Sequence, residues 1–577
     1  VFEYKLVIES LSSREEKDVD GAQLLVETLK AVGVEYVFAN TGTDYPAILE
    51  AAAKLNAQGN DYPKLITVPH EMAAVSMAHG YAMVSGKPQV AMVHTLPGTA
   101  NAVCGVINAS RNMVPVILVA GRTPITEKGM QGSRDLYIHW AQESRDQAAL
   151  LREFVKWDYE VRFPQQVPEV VLRAWRICLT EPQGPVYVVV PREWSMQKVE
   201  ISSIPPVETY SPPSPPQADL SVVEKVAYML LESERPVIAT RFLGRNPGAV
   251  GELVKLSEML AIPVNGALAM YMNFPTNNPL SYPYPLQEAD LIFVINSGLP
   301  WIPDQVQPKP GAKIIHLDIN PSFPEYPMWS FPAHVSVMGD SEKTLRLLTE
   351  VLGRRMSREH EERVRERYDE IKKLYAGWRK EMVEHAVRES SRTPISPAWL
   401  SYCIGRVKDD DDIVVNEYDF NPYYADFTKP GTYFFESDAS CLGWSLAAAL
   451  GAKLAAPEKT VIATVGDGAY IFCNPVACHF VSSSHRIPIL VVVFNNRMWG
   501  AVRQTVEKYY PHGWVVRHGV RAGIDLKPSP RYDKVAEAHG AYAETVEDPG
   551  ELENSLRRAK KVVEEEGNQA LLNVVCG

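Results

Sequence analysis

Short apolar runs rich in valine, isoleucine and alanine alternate with longer amphipathic stretches along this chain, and the alternation comes in three blocks. From Asp20, GAQLLVETLKAVGVEYVFAN reads as a helix, a glycine stop and a short strand. LITV, a helix from His70 to Val84, QVAMVH, a helix near Ala100 to Arg111 and PVILVAG follow, and GPVYVVVP closes the block at Pro191. The stretch from Ile204 to Pro216 has six prolines in thirteen residues, which excludes a helix and favours an extended linker. A second block, Ala218 to Leu352, repeats the cadence with RPVIAT, IPVNG, LIFVIN and KIIHLDIN. The mixed-charge run from Ser357 to His385 reads as a solvated helix. The third block carries DIVVNEY, TYFFES, a helix around Gly443 to Ala455, and the strands Thr460 to Val465 and Ile489 to Phe494. Continuous apolar runs of this length are expected of strands buried on both faces of a parallel sheet. The pattern therefore predicts an α/β chain of three doubly wound parallel-sheet domains at residues 1–195, 218–352 and 394–577. A Pro-rich linker (196–217) and a charged helical connection (353–393) join them.

Composition narrows the classes. At 577 residues and 46% hydrophobic content, the chain can bury several cores. A net charge of -12 argues against nucleic acid as a partner, which would need a basic face. No apolar run reaches the ~18 residues of a membrane span, and VFEYKLVIESLSSREEKDVD lacks a secretory pattern, so a cytoplasmic location and no membrane partner are expected. Seven cysteines, scattered and without a CxxC pair, fit reduced thiols used as small core residues.

The candidate chemistry sits at strand ends. Gly466-Asp467-Gly468 follows one apolar run and Asn495-Asn496 the next, with 26 residues between the two groups. In a βαβ unit both emerge at the carboxyl ends of neighbouring strands, where ligands of α/β sheets bind. A carboxylate and an amide oxygen can then share one hard cation while glycines let backbone N–H groups approach an anion, a combination that suits magnesium diphosphate. Two ordinary turns are the plainer alternative. In the first block, Glu71 opens an apolar helix, where a carboxylate is costly without a partner. His94 follows 23 positions later at a strand end, well placed for proton transfer or for an ordinary hydrogen bond.

The segment from Lys459 to Trp499 resembles the thiamine diphosphate signature of the acetolactate synthase, benzoylformate decarboxylase and pyruvate decarboxylase superfamily, and VPHEMAAVSMAHGYA around Glu71 is similar to its glutamate motif. The resemblance implies a pyrimidine-binding, a central and a diphosphate-binding domain, in that order. It implies Mg2+ held by Asp467, Asn496 and the backbone carbonyl of Met498, and diphosphate held at Gly466, Gly468 and Ala469, where the family usually has serine for the last. Leu442 would sit beneath the cofactor, the Ser440 carbonyl would meet its aminopyrimidine, and Asn416 and Glu417 match the segment before the diphosphate contacts. Glu71 would promote the cofactor's reactive tautomer, and His94 would be an acid/base residue. Thr43 falls where benzoylformate decarboxylase binds the substrate carboxylate with serine, although Thr41 replaces a proline and Asp44 adds a charge. Gln305 stands as the counterpart of that enzyme's second histidine. WAQE, at Trp140 to Glu143, is similar to an acetolactate synthase segment and makes Gln142 a pocket candidate.

By the same resemblance the chain would decarboxylate a 2-oxo acid, the product being released as an aldehyde or captured by an acceptor. Glu71 of one subunit would serve the cofactor of another, giving a homodimer or homotetramer. The glycine cluster from Gly244 to Gly251 lacks GxGxxG spacing, so FAD is not supported. A lyase that cleaves a 2-hydroxyacyl substrate without releasing CO2, a silent cofactor-binding subunit and a purely nucleotide-binding α/β protein remain the alternatives.

Overall fold

The computed structural model describes residues 19–200 and 204–577. Runs of β-branched residues become the inner strands of three sheets, and every strand pair within those sheets is parallel. The first sheet contains β1 (Tyr36–Asn40), β2 (Lys64–Thr67), β3 (Gln89–Val93), β4 (Val116–Arg122), β5 (Asp158–Glu160) and β6 (Val186–Pro191), in the order β2-β1-β3-β4-β6-β5. The central sheet contains β7 (Pro236–Thr240), β8 (Val264–Asn265), β9 (Leu291–Ile295), β10 (Lys313–Asp318) and β11 (Val335–Met338), in the order β8-β7-β9-β10-β11. In the third sheet, β12 (Ile413–Glu417), β13 (Tyr433–Phe435), β14 (Val461–Gly466), β15 (Leu490–Asn495), β16 (Tyr542–Val546) and β17 (Ala570–Val575) run β13-β12-β14-β15-β17-β16. The first and third sheets thus share one winding, which the similar cadence of their sequences anticipates.

The apolar pattern does not announce four strands of these sheets: β17, which is an inner strand, and β5, β11 and β16, which are sheet edges. An edge strand needs no continuous apolar run, and each of these carries polar or exposed positions.

Among the helices that follow strands of the first sheet are α1 (Glu71–Ser85) and α2 (Thr95–Arg111). The second begins earlier than the pattern suggests, directly after His94, because Pro97 falls in its first turn, where a missing N–H costs nothing. A charged helix, α3 (Arg358–Arg388), buries only Ile371 and Ala386. In the third unit α4 (Ser445–Ala455) precedes β14 and the short α5 (Asp467–Phe472) follows it. One apolar cluster runs from the first sheet into the third through Ala74 and Ala78 of α1 and Ala448 and Ala452 of α4. Backbone contact makes this joint close: a Cβ on Gly80 would lie 2.1 Å from the Ala448 carbonyl oxygen, and one on Gly451 2.0 Å from that of Met77. Among the described residues no helix is long and apolar enough to cross a membrane.

Candidate active site

Strands β14 and β15 are neighbours, with Gly466 opposite Phe494, so the residues that follow them meet at one edge of the third sheet. They line a cavity of about 140 Å³ with Tyr418, Asp419, Leu442, Asp467, Gly468, Asn496 and Met498 in its wall. Asp467 opens α5; its Oδ1 accepts from the Gly468 N–H at 3.0 Å, while Oδ2 is buried and has no hydrogen-bond partner among the described residues. Burial, with a contribution from the nearby charge of Asp419, pushes the Asp467 carboxyl up to about 6. Asn496 Oδ1 accepts from the Met498 N–H at 2.9 Å, which bends the chain so that both residues face the cavity. The backbone comes close at Gly468, where a Cβ would lie 2.4 Å from the Trp499 ring. A buried carboxylate with one unmet oxygen, an amide and backbone carbonyls form an oxygen-donor set of the kind that suits Mg2+, and an uncompensated buried charge is costly without such a partner.

The floor beside the cavity is a turn held in an uncommon shape. Ser440 (φ +50°) and Gly443 (φ +95°) flank the Leu442 position with left-handed backbone, and a Cβ on Gly443 would lie 2.3 Å from the Phe472 carbonyl oxygen. The Glu417 carboxylate grips this turn by accepting from the N–H groups of Gly443 (2.6 Å) and Ser445 (2.7 Å), and its burial raises the carboxyl's pKa. Asn416 donates to the Phe420 carbonyl (3.0 Å) and the Tyr433 hydroxyl (3.2 Å) and accepts from Thr464 Oγ1 at 2.9 Å. Both residues point into the protein and shape the wall from behind. The Tyr418 hydroxyl, in the wall itself, lies 2.5 Å from Ser440 Oγ.

The first sheet presents a second polar group. Strands β1 and β3 are adjacent, Asn40 opposite Val93, so the loop after β1 meets His94. His94 Nδ1 is 2.7 Å from Asp44 Oδ1, and the Asp44 side chain is only 3% exposed. Only glycine fits around this pair: a Cβ on Gly42 would sit 2.1 Å from His94 Nδ1, and one on Gly121 1.5 Å from Asp44 Oδ2. The hydrogen bond to Asp44 raises the His94 pKa against the opposing effect of burial. Gln142 lies close enough to favour the charged imidazole, although its buried Oε1 makes no hydrogen bond of acceptable geometry. Its neighbour Glu143 is held by Arg122 at 2.6 Å and by Arg134. Glu71, 8% exposed at the start of α1, accepts from Asn101 Nδ2 at 3.1 Å. The structure therefore brings His94, Gln142 and Glu71 into one neighbourhood, the last through its charge on His94. Thr43 is exposed, and Gln305 is exposed in the loop between β9 and β10. Asp44 is the functional candidate that the residue pattern does not single out; its signal is an acidic residue just past a strand end, one position from the threonine.

Three family models match the chain: the thiamine pyrophosphate enzyme N-terminal TPP binding domain over residues 19–150, the central domain over 223–348 and the C-terminal TPP binding domain over 418–574. The chain belongs to the thiamine pyrophosphate enzyme family. A protein of Methanocaldococcus jannaschii named as a probable acetolactate synthase large subunit is 27% identical, the match covering 93% of this chain and 89% of that protein. The Escherichia coli acetolactate synthase isozyme 3 large subunit is 24% identical, with 94% and 93% covered. In fold, the chain is similar to a thiamine diphosphate-dependent 4-hydroxybenzoylformate decarboxylase of Rhodococcus jostii, with a TM-score of 0.73 over 97% of this chain and 99% of that one at 21% identity. Within this thiamine pyrophosphate enzyme, the N-terminal model spans Asp44, Glu71 and His94, and the C-terminal model spans the Leu442 turn, Asp467 and Asn496.

Proposed function

We propose that this chain is a thiamine diphosphate- and Mg2+-dependent enzyme that decarboxylates a 2-oxo acid, with the product released as an aldehyde or joined to an acceptor carbonyl. The observation that carries the reading is the buried, unpartnered Oδ2 of Asp467 in a cavity shared with Asn496 and Met498. Asp467, Asn496 and the Met498 carbonyl would hold the cation. Backbone N–H groups at Gly466, Gly468 and Ala469 would hold the diphosphate, as N–H groups at a strand-to-helix turn do for anions generally. Leu442 would support the cofactor from the cavity wall, with the Ser440 carbonyl facing its aminopyrimidine, and Glu417 and Asn416 would keep that turn in place. When bound, thiamine diphosphate supplies the nucleophilic carbon and the electron sink that breaking a bond next to a keto group requires.

The remaining roles belong to the first sheet. Glu71 would exchange a proton with the cofactor ring through a carboxylate oxygen. Asp44 occupies Nδ1 of His94, which leaves Nε2 to deliver or accept a proton at the substrate. A protonated imidazole stabilised in this way favours release of the product as an aldehyde. Gln142, beside it, would line the substrate side, and Thr43 is the outer candidate. Among the described residues, none lining the Asp467 cavity comes from the first sheet's unit, which supports a homodimer in which one subunit's Glu71 serves the other's cofactor.

CO2 release should be followed from pyruvate, 2-oxobutyrate and benzoylformate, with and without thiamine diphosphate and Mg2+, and the products identified by NMR. Cofactor-dependent CO2 with an aldehyde supports a decarboxylase, and an acyloin or acetolactate supports a carboligase. Bound cofactor without CO2 from any of the three would reject these donors. Cleavage of a 2-hydroxyacyl substrate to a formyl product would then identify a lyase.

A further inference from the structure

Five of the seven cysteines, Cys178, Cys403, Cys473, Cys478 and Cys576, are buried; Cys104 is exposed and Cys441 half-buried. The two accessible thiols belong to different units of the fold, one on α2 beside the first sheet and the other in the turn that carries Leu442. The fold nonetheless brings the α2 face that carries Cys104 onto the backbone of Cys441. A specific backbone clamp produces this approach. Asn108 of α2 donates from Nδ2 to the Cys441 carbonyl at 2.9 Å and accepts from the Cys441 N–H at 3.2 Å. Cys104 lies one helical turn before Asn108, and Asn101, the partner of Glu71, lies three residues before Cys104, so all three share one face of α2.

We propose that Cys104 and Cys441 are a thiol pair that closes to a reversible intramolecular disulfide, tying α2 to the Leu442 turn when a peroxide is present. Cys104, the thiol that solvent reaches, attacks the peroxide O–O bond and becomes a sulfenic acid with release of water. Cys441 then displaces the hydroxyl as a second water, its proton leaving with it. Two thiols and one hydrogen peroxide thus give one disulfide and two waters, and an added dithiol reverses the change. Five buried thiols without such access stay reduced. The bond would fasten the residues flanking Ser440, whose left-handed conformation makes this turn a place where backbone freedom is already restricted.

The test uses the full chain with stoichiometric hydrogen peroxide, followed by non-reducing peptide mapping. Loss of two titratable thiols, a linked peptide pair containing residues 104 and 441, and return of both thiols with dithiothreitol are expected. Cys104→Ser and Cys441→Ser should each abolish the link. Hydrogen exchange across residues 439–444 should slow in the oxidised wild type by at least threefold and be unchanged by peroxide in Cys104→Ser, which substitutes an exposed side chain. A Cys104–Cys104 bond between subunits, sulfinic acid on Cys104 without a link, or five thiols lost together would overturn the pairing. None of these readouts depends on the cofactor, so the pairing can fail while the proposed function stands, and the reverse.

Discussion

The first and third sheets are wound in the same strand order, yet the acids at their carboxyl edges are in opposite states. In the first, Asp44 is buried and its charge is met by His94 at 2.7 Å, a pair that is complete within the chain. In the third, Asp467 is equally buried, but one oxygen has no partner and burial pushes its carboxyl up to about 6. One fold, used twice, thus holds a satisfied acid–imidazole pair on one copy and a carboxylate with an unmet oxygen on the other. The difference follows from the loops: glycines at 42 and 121 let an acid and an imidazole close on each other, whereas glycine at 468 brings an indole and backbone around an open cavity.

The contrast is broken most severely at Glu71. If the first sheet supplies only proton chemistry, Glu71→Gln should lower kcat by about 10²–10⁴-fold, the usual contribution of a positioned acid or base, while calorimetry shows thiamine diphosphate affinity within a few-fold of wild type. Unchanged turnover and unchanged binding together would remove Glu71 from the mechanism. Asp467→Asn should do the opposite. Losing an outer partner of a metal site already costs about 10–100-fold in affinity, so losing a direct ligand should weaken Mg2+-dependent cofactor binding by more than about 100-fold, and chelation of Mg2+ in the wild type should match it. Full affinity in the variant without added metal would show that the orphaned oxygen has another purpose.

The stretches that were legible in the sequence are those whose chemistry is local. Inner strands other than β17 declare themselves by continuous apolar runs, and Gly466-Asp467-Gly468 with Asn495-Asn496 reads as a candidate strand-end site because the two groups follow adjacent strands of one βαβ unit. Glu71 stands out as a carboxylate on an apolar helix start. What the pattern does not reveal depends on sheet order and side-chain direction. Asp44 and His94 are 50 positions apart and meet only because β1 and β3 are adjacent. Thr43, one residue earlier, has the hydroxyl that resemblance points to, but it faces solvent. Asn416 and Glu417 are in a telling segment, yet their hydrogen bonds run inward to the turn that they support.

A subtler cut separates the members of the first pair. Asp44 raises the His94 pKa, so a step that needs the protonated imidazole is retained at low pH and lost as pH rises through that raised value. Asp44→Asn should bring the loss down by about one pH unit, the lower end of what a close opposite charge contributes, with a fall in kcat at pH 7 of up to about tenfold. The sign for stability agrees. A histidine with a raised folded-state pKa stabilises the fold below its unfolded value near 6.5, and that contribution fades as pH climbs through the folded value. The variant should therefore lose more stability at pH 5.5 than at pH 8.5, as read by urea unfolding at both. An unchanged pH–rate profile would leave His94 as a structural partner of Asp44.

The smallest expected effect concerns the joint that makes the two copies one body. On Gly80 of α1 a Cβ would meet the backbone carbonyl of Ala448 at 2.1 Å, and a helix backbone cannot give way as a flexible side chain can. Gly80→Ala should therefore push α1 and α4 apart and cost about 1–3 kcal/mol, the range for overpacked interiors, seen as an earlier calorimetric transition. Because α4 starts just after the Leu442 turn, the same variant should weaken cofactor binding modestly with no change in the pH profile that reports on His94. Gly251, inside the helix Pro247–Leu260 beside the central sheet, is the matched control: a Cβ there meets nothing within 4 Å. Replacing it with alanine removes backbone freedom from the unfolded chain without a clash and should stabilise by about 0.4–1 kcal/mol. Opposite signs at two helical glycines would place the tight coupling of this chain between its first and third sheets; equal signs would mean that the α1–α4 contact yields easily and that the two sites are joined elsewhere.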